Sequence, residues 1–289
     1  TTFQDLNEPP CIAPIGNTVQ AVSMPSVFAI SGGKGGIGKT LTTANLGVCL
    51  SRIGLRTLLI DGDFGLANLD VILNLRPRFT LDDVLCGERH LKEIIIHGPD
   101  NLKIIPSSSG VLKVAELDEF QKIILLDQVE ELDEEFDVVL IDTPAGVSKN
   151  VQYWSHSSSH TIMVVSPEPT SLADCYASIK ILSQNTEQNE FKLIINMVAN
   201  EAEAKRIYEK ISNLSEEYLN VRIEYLGFIP MDESVRMSVR ERNAYVQKYP
   251  FSQASACVRE IARELATSSH IGKYKGTMQF FWRRLMNNH

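Results

Sequence analysis

Short apolar runs alternate with helical patterns along most of the chain. The runs are rich in β-branched residues, as buried strands are, and cover residues 27–31, 57–61, 102–105, 138–142, 161–166, 192–197 and 223–230. Amphipathic stretches with helical spacing lie between them, at residues 40–53, 119–135, 171–184 and 201–219. This alternation predicts a doubly wound α/β fold, in which helices cover both faces of a mostly parallel sheet.

A β-hairpin is predicted at the edge of this sheet. Residues 94–96 and 102–105 are apolar and flank a turn of the sequence Gly98-Pro99-Asp100-Asn101. There is no internal repeat and no glycine–serine linker, so we expect a single domain over residues 26–268. Residues 1–25 are expected to form a flexible tail, and residues 269–289 a linker followed by a C-terminal helix.

Composition excludes several classes of protein. The 289 residues are 44% hydrophobic and carry a formal net charge of -8. An acidic surface repels phosphate backbones, so we expect no sequence-specific DNA binding. The five scattered cysteines form no CxxC motif, which is typical of thiols in a reducing compartment. No apolar run reaches the roughly 18 residues of a membrane-spanning helix, and residues 1–25 lack the features of a secretion signal.

The main chemical motif follows the first predicted strand. Residues 33–40 match the Walker A pattern G-x-x-x-x-G-K-[ST] with Gly33, Lys34, Gly35, Gly36, Ile37, Gly38, Lys39 and Thr40. Backbone N–H groups of such a loop surround an anion at the N-terminus of a helix. Lys39 is expected to bridge the β- and γ-phosphates of ATP, and Thr40 to bind Mg²⁺. The alternative is a glycine-rich turn without a ligand.

Acidic residues end two of the predicted strands, at the rim where open parallel sheets bind ligands. Of Asp61 and Asp63, one is expected to orient the attacking water and the other to support Mg²⁺ or the loop. Asp142 ends an apolar run in the pattern of a Walker B strand, whose carboxylate holds Mg²⁺. Gly146 is a candidate N–H donor to the γ-phosphate. Solvated strand-end carboxylates are the ordinary alternative.

The C-terminal segment differs in charge from the rest of the chain. Residues 272–289 contain four Lys or Arg side chains and neither Asp nor Glu. A helix here would place its apolar side chains on one face, namely Met278, Phe281, Trp282, Leu285 and Met286. A basic amphipathic helix of this kind suits a membrane interface, so residues 274–289 are predicted to bind the inner face of the cytoplasmic membrane. A terminal helix packed on the core is the alternative.

These motifs together resemble the MinD/ParA family of deviant Walker A ATPases. Lys34 matches the second lysine of that family's K-G-G-x-G-K-[ST] loop, and residues 61–70 are similar to its first switch segment. The resemblance implies a MinD-like P-loop NTPase fold and an ATP-dependent homodimer, in which Lys34 reaches the ATP of the partner. It also implies that Asp63 positions water with the help of Asn68.

The same resemblance assigns residues to the rest of the nucleotide. Asn196 follows one predicted strand, and Pro230 and Asp232 follow the last one, at positions that lie beside adenine in the family. Glu168 is a possible ribose contact. Strand-end Asn and Asp are also ordinary capping and turn residues, so a purely structural role is the alternative.

Two segments resemble the flagellar FlhG/FleN branch of the family. They are Pro167-Glu168-Pro169-Thr170-Ser171-Leu172 and Phe280-Phe281-Trp282-Arg283-Arg284-Leu285. The resemblance implies a slow, dimer-dependent ATPase, cytoplasmic and peripheral to the membrane with ATP, that regulates the number or placement of flagella. Implied partners are the GTPase FlhF, flagellar switch proteins or a flagellar transcription activator. Residues 3–7 are at best a remnant of the branch's GTPase-stimulating motif, so stimulation of FlhF stays open.

Three other classes of function remain open: a division-site regulator, a DNA segregation ATPase, and a P-loop enzyme that is either a reductase or a synthetase. A MinD-type regulator of the division site would use the same ATPase machinery. A ParA-type DNA segregation ATPase is disfavoured by the acidic balance and by the amphipathic tail. A P-loop reductase needs cysteines at strand ends to bind an iron–sulfur cluster, whereas Cys86 and Cys175 fall in helical patterns. A P-loop synthetase would not need the basic tail.

Overall fold

Eight strands form one sheet in this computed structural model, which describes residues 25–63, 68–107, 128, 131–132, 136–186 and 188–267. The strands are β1 (Ser26–Ser31), β2 (Thr57–Asp61), β3 (Ile96–His97), β4 (Lys103–Ile105), β5 (Val138–Asp142), β6 (His160–Val165), β7 (Glu190–Val198) and β8 (Arg222–Pro230). Their spatial order is β3-β4-β2-β5-β1-β6-β7-β8. Only the edge pair β3–β4 is antiparallel. The predicted α/β fold class is confirmed.

Helices cover both faces of the sheet. They are α1 (Lys39–Arg52), α2 (Leu69–Ile72), α3 (Leu81–Leu85), α4 (Leu91–Ile94), α5 (Lys149–Ser157), α6 (Pro169–Thr186), α7 (Glu201–Leu219), α8 (Glu233–Glu241), α9 (Tyr245–Lys248) and α10 (Gln253–Thr267). Helices α1 and α10 pack on one face of the sheet. Helices α3, α4 and α5 pack on one half of the other face, and α6 and α7 on its second half. Within the described ranges, no helix has both the length and the apolar character needed to cross a membrane.

Strand positions follow the apolar runs because both faces of the sheet are covered. The central strands β1, β2 and β5 are buried at every residue. A strand with no solvated face has no reason to alternate apolar and polar residues, so it appears in the sequence as an unbroken apolar run. All seven predicted strands agree with the structure to within two residues at each end, and so do the helices predicted at 40–53, 171–184 and 201–219.

The predicted edge hairpin is present, but its first strand is shorter than expected. Ile96 and His97 pair with β4, whereas Ile94 ends helix α4. That helix begins where His90 and Glu93 form reciprocal side-chain-to-backbone hydrogen bonds, a capping arrangement that favours helix over strand. The helix predicted at 119–135 lies almost entirely outside the described residues, as do the N-terminal tail and residues 268–289.

The sheet brings the chemically active residues to one rim. Asp61 and Asp142 end the adjacent parallel strands β2 and β5 and stand opposite each other in their register. β1 pairs with the other side of β5 and leads into the phosphate loop. The Walker A loop and both strand-end acids therefore meet at the carboxyl end of three neighbouring strands, where open α/β sheets bind their ligands.

Candidate functional site

The Walker A loop joins β1 to α1 through two glycines with left-handed backbones. Gly36 and Gly38 both have a φ of 81°, a conformation that a residue with a Cβ rarely adopts. Gly38 is the N-cap of α1 and forms no side-chain hydrogen bond to the helix. The first N–H groups of α1 thus lack a side-chain cap and lie beside the loop, which is the arrangement that binds phosphate.

Gly33 and Gly38 also permit close contacts between the loop and its surroundings. A Cβ on Gly33 would lie 2.4 Å from the backbone carbonyl of Asp174 on α6. A Cβ on Gly38 would lie 2.4 Å from the side-chain Nδ2 of Asn196 on β7. The loop is therefore packed between helix α6 and strand β7. Larger residues at these two positions would push it out of place.

Lys39 is buried against the acid that ends β5. Its Nζ lies 2.8 Å from Oδ1 of Asp142, and both side chains are less than a tenth exposed. Thr43, one turn further along α1, donates its hydroxyl to the same oxygen over 3.2 Å. The lysine and the Walker B acid predicted from the sequence are thus in direct contact, with the ammonium group at the start of α1.

Asp61 adds a second buried carboxylate beside this pair. It accepts hydrogen bonds from the backbone N–H groups of Asp63, Asn68 and Leu69. Burial, and then the charge of Asp142, raises the pKa of Asp61 to about 7 despite these three donors. Asp61 and Asp142 are thus two neighbouring buried carboxylates, of which Asp142 contacts the Lys39 ammonium group, and an additional cation would stabilise the ionised form of both.

This excess of acidic groups fits Mg²⁺. Thr40, Lys39 and Asp63 line the same cleft, and the buried carboxylate of Asp142 contacts Lys39. Among the residues that the structure describes, no group of three or more His, Cys, Asp or Glu side chains could hold a metal by itself. Mg²⁺ usually keeps several waters and phosphate oxygens as ligands, so few protein groups are needed.

The predicted water-positioning and sensing residues lie around the same cleft. Asp63 and Asn68 line it together with the loop, and Asp63 is partly buried. Gly146 has a φ of 89° and donates its N–H to the carbonyl of Gly32 over 2.9 Å. In this structure that N–H group binds the loop backbone, so contact with a γ-phosphate would require it to leave Gly32.

Lys34 lines the cleft, and its ammonium group contacts residues at the start of α6. Its Nζ lies 2.6 Å from Oε2 of Glu168 and 3.1 Å from Oγ1 of Thr170, at the start of α6. Both side chains of the ion pair are largely exposed. Glu168, predicted as a ribose contact, here holds the second lysine of the loop.

A smaller, mostly apolar cavity of about 180 Å³ adjoins the loop on the side of β7 and β8. Asn196, Pro230 and Asp232, the three residues predicted to lie beside adenine, all line it. The Asn196 amide donates to the carbonyl of Ile37 over 2.8 Å and accepts from the N–H of Met197. Asn196 thus ties the loop to β7.

Asp232 uses both of its carboxylate oxygens on backbone N–H groups. One oxygen accepts from Ser234 at the start of α8 and the other from Ala254 at the start of α10. Burial tends to raise the pKa of Asp232, but these hydrogen bonds outweigh it and the pKa is lowered. The side chain therefore joins α8, which lines the cavity, to α10.

Several residues of the site had no clear sequence signal. Helix α8 forms the wall of a cleft of about 920 Å³ opposite the loop, through Val235, Arg236, Val239 and Arg240. Arg236 and Arg240 lie four residues apart and therefore on one face of the helix, and this spacing could have indicated that α8 borders the site. Trp154 of α5 donates its indole N–H to the carbonyl of Gly62 over 3.2 Å, and no motif indicated that contact.

Comparison with known proteins places this site in a family. A model described as an AAA domain matches residues 25–195. The antiactivator FleN of Pseudomonas aeruginosa is 34% identical over 91% of this chain and 94% of its own. The flagellum site-determining protein YlxH of Helicobacter pylori is also 34% identical, over 90% and 89%. The chain belongs to the MinD/ParA family of ATPases, in its flagellar FlhG/FleN branch.

Solved structures of MinD agree with this FlhG/FleN-branch assignment. MinD in the MinC:MinD cell division complex of Aquifex aeolicus gives a TM-score of 0.68 at 29% identity and covers 87% of this chain and 99% of that chain. MinD of Pyrococcus horikoshii, complexed with Mg-ADP, gives 0.67 at 26% identity, over 84% and 97%. The FlhG/FleN-branch protein is thus a P-loop ATPase, and the Mg-ADP complex agrees with a site for nucleotide and Mg²⁺.

Proposed function

We propose that this protein is an ATP-dependent switch that dimerises with ATP bound, associates with the membrane and regulates the number or placement of flagella. The observation that carries the proposal is the unequal placement of the two lysines of the phosphate loop. Lys39 is buried on Asp142, whereas Lys34 lies exposed at the rim. A loop that needed only its own ATP would have no use for the second lysine in that position.

The buried groups support hydrolysis within one subunit. Lys39 binds the β- and γ-phosphates and Thr40 and Asp142 hold Mg²⁺, with Asp61 behind them. Mg²⁺ would neutralise charge on the phosphates when bound. Asp63, with Asn68, lines the same cleft and orients the attacking water. The proposal assigns ATP hydrolysis to ADP and phosphate, at a slow rate that depends on the dimer.

The exposed groups support dimerisation. An exposed ion pair such as Lys34–Glu168 contributes only about 0–1 kcal/mol, so Lys34 exchanges it for a phosphate of the partner's ATP at little cost. Large apolar side chains that are at least a third exposed border the cleft or the adjoining cavity, namely Met197 and Val239 in the cleft and Met231 in the cavity. Apolar surface around a polar site is typical of a protein–protein interface.

The C-terminal residues support membrane association. Residues 274–289 lie outside the described part of the chain, and their basic, amphipathic sequence is the basis of the proposal. One short helix binds a bilayer weakly. Two copies on one dimer bind much more tightly because the second binding event is intramolecular. ATP-dependent dimerisation would therefore control residence at the membrane.

Sedimentation with liposomes tests this switch. We expect the full chain to pellet with vesicles of anionic phospholipid in Mg-ATP and to stay in the supernatant in Mg-ADP. Removal of residues 274–289 should abolish pelleting in ATP, while Lys34→Ala should reduce it by preventing the dimer. Equal pelleting in ATP and ADP, or unchanged pelleting after truncation, would refute the membrane switch.

A role at the division site is the second candidate function. It is favoured by the septum site-determining protein MinD of Bacillus subtilis, which is 31% identical over 85% of this chain. Deletion of the gene in the source organism separates the two functions. Altered flagellar number with normal division supports the proposal, whereas misplaced septa with normal flagella would overturn it in favour of the division role.

A further inference from the structure

Gly62 connects two segments that face the nucleotide cleft, residues 61–63 at the end of β2 and residues 142–146 at the end of β5. It lies between Asp61 and Asp63, donates its N–H to the carbonyl of Asp142 over 2.9 Å and accepts the indole N–H of Trp154 over 3.2 Å. A Cβ at this position would lie 2.9 Å from both of those partner atoms. The turn that carries Asp63 is therefore fixed to the end of β5 and to helix α5.

Trp154 is an unusual choice for a purely structural position. It is 1% exposed and is among the largest fully buried side chains of the described chain. Its ring packs with apolar side chains of β2, β5 and α3, where a phenylalanine or leucine would bury similar surface. A buried indole N–H must find an acceptor, and this one finds the carbonyl of Gly62 in the catalytic turn.

The position of Trp154 in the chain links the two segments. Helix α5 begins at Lys149, three residues after Gly146 and seven after Asp142. A shift of residues 142–146 on binding or loss of a γ-phosphate would therefore be passed to α5. The hydrogen bond from the Trp154 indole N–H to Gly62 would also transmit this shift to the backbone next to Asp63.

We propose that Trp154 is a positioning residue: its indole N–H holds the Asp61-Gly62-Asp63 turn to helix α5, so that the two nucleotide-facing segments move together. The inference rests on the proposed function, since it assigns a role to the turn that carries Asp63. Trp154 itself contacts neither nucleotide nor water in this scheme. It sets where the Asp63 carboxylate stands when ATP is bound.

Trp154→Phe removes the N–H donor and keeps most of the packing. We expect kcat for ATP hydrolysis to fall about 5- to 10-fold, the equivalent of one hydrogen bond, while KM for ATP stays within about 2-fold. Phe191→Leu, in the core between β7 and α7, is the matched control for lost aromatic packing, and we expect its kcat per folded molecule to be unchanged. An unchanged kcat in Trp154→Phe, or an equal loss in Phe191→Leu, would overturn the inference.

Fluorescence tests the same link without hydrolysis. The chain has two tryptophans, so Trp282→Phe leaves Trp154 as the sole reporter. Measured without lipid, Mg-ATP should change the emission of Trp154 relative to Mg-ADP, and Asp63→Ala should preserve this difference. Identical emission in both nucleotides would refute the coupling. A wild-type protein that binds ATP but does not hydrolyse it would instead refute the proposed function, and the emission difference would still decide this inference.

Discussion

The two ends of the nucleotide cleft use polar side chains in opposite ways. At the phosphate end, Lys39 is buried against Asp142, and Asp61 is a second buried acid close enough for the charge of Asp142 to raise its pKa. At the base end, Asn196 and Asp232 bind backbone groups, and the cavity between them is mostly apolar. The first arrangement is incomplete without a ligand, whereas the second is satisfied by the fold itself.

Because of this difference, the side chains at one end contribute mainly to nucleotide binding and those at the other end mainly to the stability of the fold. Buried like charges repel each other and lower the free energy of unfolding. The phosphate end is therefore less stable without a ligand than it would be with one bound. Side chains that cap helices and tie down a loop contribute stability whether or not a nucleotide is present. Substitutions at the phosphate end should therefore change nucleotide chemistry first, and substitutions at the base end should change the free energy of unfolding first.

The largest effect is expected at Lys39. Lys39→Gln removes the cation that faces the β- and γ-phosphates, and we expect ATP affinity to fall at least about 100-fold, since charge-assisted contacts to phosphate contribute several kcal/mol. Titration with a fluorescent ATP analogue measures this loss. Lys34→Gln is the matched control, because it should retain ATP binding by its own subunit and lose only the ATP-bound dimer. Retained affinity in Lys39→Gln would contradict the assignment of the loop.

A loss of turnover without a loss of binding is expected at Asp63. Asp63→Ala should slow phosphate release at least about 100-fold, a typical contribution of a group that directs proton transfer, while the ATP-bound dimer still forms. Phosphate release and light scattering measure the two outcomes. Asp70→Ala is the control, since the carboxylate of Asp70 accepts a hydrogen bond from the adjacent Val71 on α2. Normal turnover in Asp63→Ala would mean that the water is positioned by another group.

A change in stability rather than affinity is expected at Asp232. Asp232→Ala leaves the starts of α8 and α10 without their acceptors, and we expect the free energy of unfolding to fall by about 2 kcal/mol. Urea denaturation of the nucleotide-free protein measures it, with Glu233→Ala as an exposed neighbour for comparison. A large loss of ATP affinity at unchanged stability would contradict the claim that the base end contributes mainly to the stability of the fold.

An effect on stability of similar size, but dependent on pH, is expected at Asp61. Because its pKa is raised to about 7, the folded state holds a proton on Asp61 between about pH 4 and 7 that the unfolded chain has released. Stability of the nucleotide-free, Mg²⁺-free protein should therefore fall as pH rises through this window. Relative to wild type, Asp61→Asn should gain about 1–3 kcal/mol between pH 5 and pH 7.5. Parallel pH profiles for the two proteins would contradict this account of the acidic pair.

Helix α5 illustrates where prediction from sequence was incomplete. Its nine residues include five with poor helix propensity near its start and end, namely Asn150, Val151, Ser155, His156 and Ser157, and no helical pattern was assigned to them. The segment is helical because Val151 and Trp154 pack into the core, so tertiary contacts outweigh local preference. The same reason explains why Trp154 was not recognised as part of the site.

The strands, the phosphate loop and the strand-end acids could be predicted from the sequence pattern. Buried parallel strands appear as continuous apolar runs, and the loop motif is a local feature of eight residues, so neither depends on distant contacts. The pairing of side chains could not be predicted in this way. Lys34 meets Glu168, Asn196 meets Ile37 and Trp154 meets Gly62 across 134, 159 and 92 positions of sequence, respectively. Such partners are set by the packing of helices on the sheet, and a pattern of neighbouring residues carries no information about them.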